Sequence, residues 1–423
     1  MIIFFVSFIV LLLIGAPISI SIGASAVLGC INLGYPIMVI GQKMVSGIDS
    51  FLLIAIPLFI LAGNLMNAGK ITEKIFDFAK RLVGWIPGGL GHANIVASLI
   101  FAGMSGSAAA DAGGLGTIEM EAMTTNGYDK EFSASVTAAS TVIGPIFPPS
   151  IPLIIYGSVA SVSVSQLFMG GVLPGLLMAV ALMVLVLIFA VKRKYPRFPF
   201  SLRLLWTQFL QSILSIITPL IILSGFVFGW FTPTEASSVA VAYALVIAVF
   251  VYRTLDWKTF KKCLLESAIT SANTLFIIGT SMLFSYVLIK EGVSLQIANF
   301  ILGISDNPYL ILLVINVLLL ALGMFMEPGA ILTLMLPVLL PIVKVLGIDL
   351  VHFGVVMVLN LMIGQVTPPF GVCLFIVSDV GEVPLNRLYR GILPFLIPLL
   401  IVLALCTYVP QLVTWLPNML LHG

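Results

Sequence analysis

Residues 101 to 176 align with residues 321 to 396 at a constant offset of 220 without a gap, so this chain of 423 residues carries one segment twice. Fifteen of the 76 pairs are identical, and seven of those are Gly or Pro: Gly103/Gly323, Gly127/Gly347, Gly144/Gly364, Pro148/Pro368, Pro149/Pro369, Gly171/Gly391 and Pro174/Pro394. Shared Leu or Val would say little in so apolar a chain. Shared Gly and Pro mark a shared backbone path, because they fix where a chain bends, breaks or admits another backbone. At the centre of each copy an apolar stretch is cut by a breaker, GPIFPPS at 144–150 and GQVTPPF at 364–370. Interrupted hydrophobic segments at matching positions of two halves point to a transporter's binding site.

Hydrophobic residues make up 60% of the chain and charged residues 9%, with apolar runs of about 20 residues recurring throughout. This is an integral membrane protein. Its first segment, MIIFFVSFIVLLLIG, lacks the basic start of a signal peptide and the apolar pattern resumes after Pro17, so it reads as a retained helix. Cys30, Cys263, Cys373 and Cys406 show no metal or redox spacing and read as small apolar residues in helices.

The hydropathy pattern predicts spans at 1–15, 17–33, 51–68, 131–162 (broken), 168–191, 215–231, 234–252, 271–290, 352–380 (broken) and 388–412. Two further stretches, 88–124 and 308–344, are too long and Gly-rich for one helix and read as re-entrant hairpins, since non-helical backbone is tolerated at depth when protein or a wet cavity surrounds it. Sixteen Lys and Arg then fall on one side and three, Lys43, Lys290 and Lys344, on the other. The excess of positive charge makes the first side cytoplasmic and places both termini outside. Five spans separate the hairpins, an odd number, so the repeat is inverted. GAPISISIGASAV from Gly15 weakly resembles FTPTEASSVAVAY from Phe231, extending the likeness upstream. Charged helical segments at 70–84, 202–214 and 254–268 carry apolar faces and are expected to lie in the interface, bracing a scaffold.

The chemistry falls at the hairpin tips and the breaks. In the first copy the tip GMSGSAAADAGG offers the hydroxyls of Ser105 and Ser107, and the break offers Gly144, Pro145, Phe147 and Pro148. Carbonyls left free where a helix stops suit a hard cation such as sodium. N–H groups free where it restarts suit a carboxylate, and Pro149 and Ser150 fit a helix start. The second copy repeats this with GMFMEPG and Thr367. Two sodium sites are therefore expected, one from Ser105, Gly144 and Pro148 and one from Gly323, Thr367 and Pro368. Substrate is expected at Ser107 and Ser150. Glu327 lies opposite Ser107 in the repeat, and an ionisable group at membrane depth is a functional candidate. Asp111 reads as a cap for the returning arm of the hairpin, and Asp129 and Asp349 as turn or cap residues. His92, His352 and His422 are scattered and receive no role.

GNLMNAGKI at 63–71 departs from a phosphate loop in spacing and has Ile71 where Ser or Thr is needed, so no nucleotide site is expected. Energy then comes from an ion gradient. Each sodium is worth roughly 2.3 kcal/mol per 100 mV. Two supply about 4 to 5 kcal/mol, on the order of a thousandfold accumulation of a neutral solute and less for an anion.

FAGMSGSAAADAGGLG, the FPPS and TPP breaks and FTPTEA together resemble the large membrane subunit of tripartite ATP-independent periplasmic (TRAP) transporters, over essentially the whole chain. SGSAAADAGG and GMFMEPGA are most similar to sialic-acid-specific members. The resemblance implies a sodium-driven importer of organic acids in the bacterial inner membrane, not an enzyme, working by an elevator motion. It implies two partners, a small membrane subunit of four helices and a periplasmic substrate-binding protein, with no nucleic acid involved. It also implies Ser107 and Ser150 as substrate contacts and a carboxylate near substrate at the Glu327 position. The expected fold class is an all-α polytopic membrane protein, an inverted-repeat elevator-type secondary transporter with two re-entrant hairpins and two broken helices. Scaffold is expected at 1–87 and 177–307, transport repeats at 88–176 and 308–396, and a helix end at 397–423. A TRAP transporter for C4-dicarboxylates, a stand-alone dicarboxylate or citrate carrier, and a structural subunit or channel are the alternatives. The last leaves the matched breakers unexplained.

Overall fold

The computed structural model describes residues 1–303, 305 and 307–421. His422 lies outside the described residues. Among those residues the chain is all α, and eight helices are long and apolar enough to cross a membrane. It opens with α1 (Ile2–Leu13), α2 (Ile18–Asn32), α3 (Ile37–Ile48), α4 (Ala55–Ala68) and α5 (Ile71–Val83). The first hairpin runs from α6 (Gly89–Ser105) through α7 (Ala108–Ala110) and a π-helical turn, Asp111–Leu115, into α8 (Gly116–Thr125). The first broken helix is α9 (Lys130–Thr141) and α10 (Ile151–Ala160). Then come α11 (Val164–Arg193), α12 (Leu202–Val227), α13 (Pro233–Val246), α14 (Trp257–Lys290) and α15 (Val293–Leu302). The second hairpin is α16 (Pro308–Phe325) and α17 (Pro328–Val345), the second broken helix α18 (Leu350–Gly364) and α19 (Val372–Val380). The chain closes with α20 (Leu385–Tyr408) and α21 (Gln411–Leu421).

Several of these helices start on the same local chemistry. An N-cap side chain takes a first-turn N–H while Pro, which has none to lose, sits at the first or second helical position. Ser150 precedes α10, Asn307 α16 and Glu327 α17, and Thr232 with Glu235 forms a full capping box on α13. Asp349 caps α18 by accepting from the His352 N–H at 2.8 Å. Its counterpart Asp129 stands at the N-cap position of α9 but is held by Arg193 at 2.7 Å and the Tyr195 hydroxyl at 2.6 Å.

The two copies run in opposite directions. Helix α20, about 36 Å long at 1.5 Å per residue, is the reference. At its start Arg387 pairs with Glu131 at 3.0 Å, so α9 begins at that end, where Lys130, Arg193 and Arg387 gather. At its finish the Cys406 carbonyl accepts from His352 Nε2 at 2.7 Å and the Tyr408 hydroxyl bonds the Tyr309 carbonyl at 3.4 Å, so α16 and α18 begin at the other end. The first hairpin also returns to the end it left. Leu90 N–H donates to the Tyr128 hydroxyl at 3.3 Å, joining the foot of α6 to the residues just after α8.

Some expectations need correction. Segments 202–214 and 254–268 are not separate interfacial arms but the first turns of α12 and α14, because no Gly or Pro interrupts the helix between charged and apolar parts. Helix α14 is therefore about 51 Å long, well beyond a hydrocarbon core of about 30 Å. Only the arm at 70–84 stands alone, as α5, which buries Ile71, Ile75, Phe76 and Ala79. The expected spans 1–15 and 17–33 are two short helices packed on each other, about 18 and 22 Å long. Helices α3, α15 and α21 were not anticipated.

Shared glycines permit close backbone approach. A Cβ on Gly171 of α11 would fall 2.2 Å from the Ile146 carbonyl oxygen in the first break, a contact no side-chain motion relieves. Gly171→Ala should destabilise the protein by about 1 to 3 kcal/mol, read as a lower melting temperature in detergent. Gly41→Ala, where nothing lies within 4 Å, should leave it unchanged or slightly raised.

Candidate functional site

Each hairpin tip lies on a break, and backbone contacts hold it there. In the first copy the tip turns at Gly106 with φ +58°, and a Cβ there would stand 2.6 Å from the Pro149 carbonyl oxygen. Ser107 caps the returning arm by accepting from Ala110 N–H at 3.4 Å. Asp111, expected to be that cap, is 1% exposed inside the π-helical turn and neither of its oxygens has a hydrogen-bond partner. In the second copy Gly364 and Gly323 meet so closely that a Cβ on Gly364 would lie 2.7 Å from Gly323 backbone. The Gly371 N–H donates to the Met324 carbonyl at 3.0 Å, and the Gln365 amide donates to the carbonyls of Met326 at 3.1 Å and Gly323 at 3.4 Å. Both breaks contain a cis X-Pro bond, Pro148–Pro149 and Pro368–Pro369.

The tips and breaks of both copies enclose one cavity of about 310 Å³. Ser107 and Ala109 reach it from the first tip, Pro145 and Ile151 from the first break, Glu327 from the second tip and Gln365 from the second break. No Lys or Arg lines it. An anion here has no basic side chain to meet, and the positive character available is that of helix N-termini, those of α10 and α17 among them. Glu327 caps α17 through Oε2, which accepts from Ala330 N–H at 3.3 Å, and still faces the cavity. A further wall was not foreseen from sequence: Thr270, Asn273 and Thr274 of α14. Their i, i+3, i+4 spacing in an otherwise apolar span was the signal that could have found them.

The remaining predicted residues do not line this cavity. Ser150 is fully buried; its hydroxyl donates to the Pro145 carbonyl and accepts from Leu153 N–H at 3.2 Å, so it bridges the break and caps α10. Ser105, at the end of α6, is 2% exposed and its Oγ has no hydrogen-bond partner. Gly144 and Pro148 are buried beneath the tip, with Gly144 beside the Ser107 carbonyl. Gly323 is buried at the second tip. Thr367 and Pro368 are half-buried, and the Thr367 hydroxyl donates to the Ile363 carbonyl at 2.7 Å, leaving its lone pairs available to a cation. Sequence reasoning also missed Glu119 of α8, fully buried with both carboxylate oxygens unpartnered. All four cysteines are free and buried.

Comparison with known proteins shows the family and the fold. A sequence model of the family described as "Tripartite ATP-independent periplasmic transporter, DctM component" matches residues 5–412. The chain is 48% identical over 381 residues to the sialic acid TRAP transporter large permease protein SiaM of Vibrio cholerae, covering 90% of this chain and 89% of that one. It is 47% identical over 382 residues to the sialic acid TRAP transporter permease protein SiaT of Haemophilus influenzae, 90% of this chain but only 62% of that longer protein. A C4-dicarboxylate TRAP transporter large permease protein, DctM of Pseudomonas aeruginosa, is 39% identical over 379 residues, 89% of each chain. Among solved structures the YdaH transporter of Alcanivorax borkumensis shares the fold, with a TM-score of 0.57 at 13% identity over 88% of both chains. With the family matched across nearly its whole length and two inverted copies meeting at one cavity, this chain belongs to the DctM family, the large membrane permeases of TRAP transporters.

Proposed function

We propose that the chain imports an organic acid, a sialic acid, across the bacterial inner membrane, coupled to the downhill entry of two or more sodium ions in the same direction. The single observation that carries this reading is the cavity where both tips and both breaks meet without a basic side chain. Substrate sits there with its carboxylate toward helix N-termini, touching Ser107 and Glu327. Sodium sits behind it, on Ser105, Gly144 and Pro148 in one copy and on Gly323, Thr367 and Pro368 in the other. The unpartnered hydroxyl of Ser105 supports the first assignment, because a buried polar atom without a partner is costly unless a ligand completes it. Ser150 acts on substrate through the shape of the break it bridges. Residues 88–176 and 308–396 form the transport half and slide as an elevator against the rest, with both termini on the periplasmic side. A small membrane subunit braces the lipid-facing scaffold, and a periplasmic binding protein delivers substrate.

Relatives named for C4-dicarboxylates support a second substrate class. Glu327 favours the first. A dicarboxylate would set a second negative charge near this carboxylate, whereas a sialic acid offers hydroxyl and amide donors to it.

In proteoliposomes holding both membrane subunits and given the binding protein, uptake of labelled sialic acid should require an inward sodium gradient. It should vanish when either partner is left out. Thr367→Ala should raise the sodium concentration for half-maximal rate more than substitution of a neighbouring apolar side chain does. Undiminished uptake with potassium replacing sodium at fixed potential and pH would refute the ion assignment.

Ser107→Ala should weaken substrate affinity about ten- to a hundredfold, the scale of one hydrogen bond to a charged group. Glu327→Gln should reduce sialic acid affinity while improving competition by succinate. If succinate competes as well as sialic acid against the unaltered protein, the dicarboxylate reading takes its place.

A further inference from the structure

Helix α14 offers the cavity a polar ledge that neither hairpin owns. Thr270, Asn273 and Thr274, with Ile277 beside them, form one face at i, i+3, i+4 and i+7. The Thr274 hydroxyl donates to the Thr270 carbonyl at 3.0 Å and keeps its lone pairs. Asn273 is exposed to the cavity. An amide left open in the middle of a membrane-crossing helix is costly against lipid and is tolerated where it faces a wet cavity or a ligand. A second set of residues on the same helix meets α4 instead: Ser267 accepts from the Asn64 amide at 2.8 Å, and Cys263 contacts the Asn64 carbonyl. Helix α14 packs on α2, α3 and α4, outside the two copies, and its later turns also meet α17 of the second copy, where Ser285 donates to the Thr333 carbonyl at 2.9 Å; its ledge looks into the site the copies form.

The height of the ledge adds a direction. Helix α14 begins with Lys258, Lys261, Lys262 and Glu266, and its uncharged stretch, 267–289, is about 35 Å long. Residues 270–277 lie within the first half of that stretch, on the basic side of its middle. The tips therefore meet α14 closer to the basic, cytoplasmic end than to the outer one.

We infer that Asn273, flanked by Thr270 and Thr274, is a substrate contact made only in the inward-displaced state, and that it sets affinity on the cytoplasmic face alone. This rests on the elevator reading above. Ser107 and Glu327 travel with the substrate and hold it in both states. Asn273 stays behind with α4, so the substrate meets it only after the tips have moved inward. Its amide can donate to a carboxylate or hydroxyl and accept from a hydroxyl or N–H, which suits a polyhydroxylated acid carrying an amide.

The test measures half-saturating sialic acid separately at each face, in membrane vesicles of both orientations containing both membrane subunits, with the binding protein supplied at the outer face. Asn273→Ala should raise the cytoplasmic-face value about five- to tenfold, the scale of one neutral hydrogen bond, and leave the outer-face value within about twofold. Ser107→Ala should raise both. Thr274→Val, which keeps the side-chain shape, should shift the cytoplasmic face in the same direction and decides the matter if Asn273→Ala does not accumulate. No shift at the cytoplasmic face, or equal shifts at both faces, overturns the inference while leaving the transport reading intact. Absence of sodium-driven sialic acid flux in the unaltered protein overturns the transport reading itself.

Discussion

In hydrocarbon a backbone N–H or C=O has no water to fall back on, so a helix that breaks there must find partners within the protein. Two breaks at depth, 142–150 and 365–371, make this the constraint on which the rest of the structure depends. The first is met locally, and the second in part by its hairpin tip. Ser150 ties Pro145 to Leu153 across the first break, and Gln365 and Gly371 reach from the second break to the carbonyls of its tip. Pulling the second tip from its break would leave buried polar groups unpaired at about 1 to 3 kcal/mol each, and the first tip is packed backbone to backbone on its own break at Gly106 and Pro149. Tip and break therefore behave as one body, and any large motion has to occur at its outer faces.

The same arrangement bears on how the proposed site would serve an anion without a basic residue. Lys or Arg at this depth would attract substrate and then hold it, and would repel a sodium nearby. Helix ends supply smaller partial charges of either sign within a few ångströms of each other. The two copies are not equivalent in what they add. The first tip contributes Ser105 and Ser107, the second Glu327, so one inherited backbone carries two different surfaces into a shared cavity.

Much of this was legible in the sequence, and the reason is the kind of residue that carried it. Gly106, Gly364, Pro148 and Pro368 constrain backbone, and backbone is what the tips and breaks are made of. Ser107 and Glu327 were legible because they sit beside those residues. Ser150 was placed one step off: a serine before a helix was recognised as a start, but its hydroxyl is used up by the break it spans. Asp111 was misread because the π-helical turn moves the helix start back to Ser107. The ledge on α14 and the buried Glu119 escaped because they lie far along the chain from any breaker, or depend on which face of a helix turns inward. The continuity of α12 and α14 escaped because charge on a helix surface does not end the helix.

The lengths of these helices are uneven in a way the bilayer must answer. Helix α14, at 34 residues, outreaches any membrane, while α1 and α2, at 12 and 15, fall short of one. The two regions are neighbours, since α14 packs on α2. Lipid beside α1 and α2 must thin or the helices must sink, at a cost of fractions of a kcal/mol for each ångström of mismatch. A protein shaped like this would deform the sheet of lipid around it, and acyl-chain length would become a mechanical input to the motion proposed for it. Two copies that shared one thinned patch would attract each other through the membrane without touching.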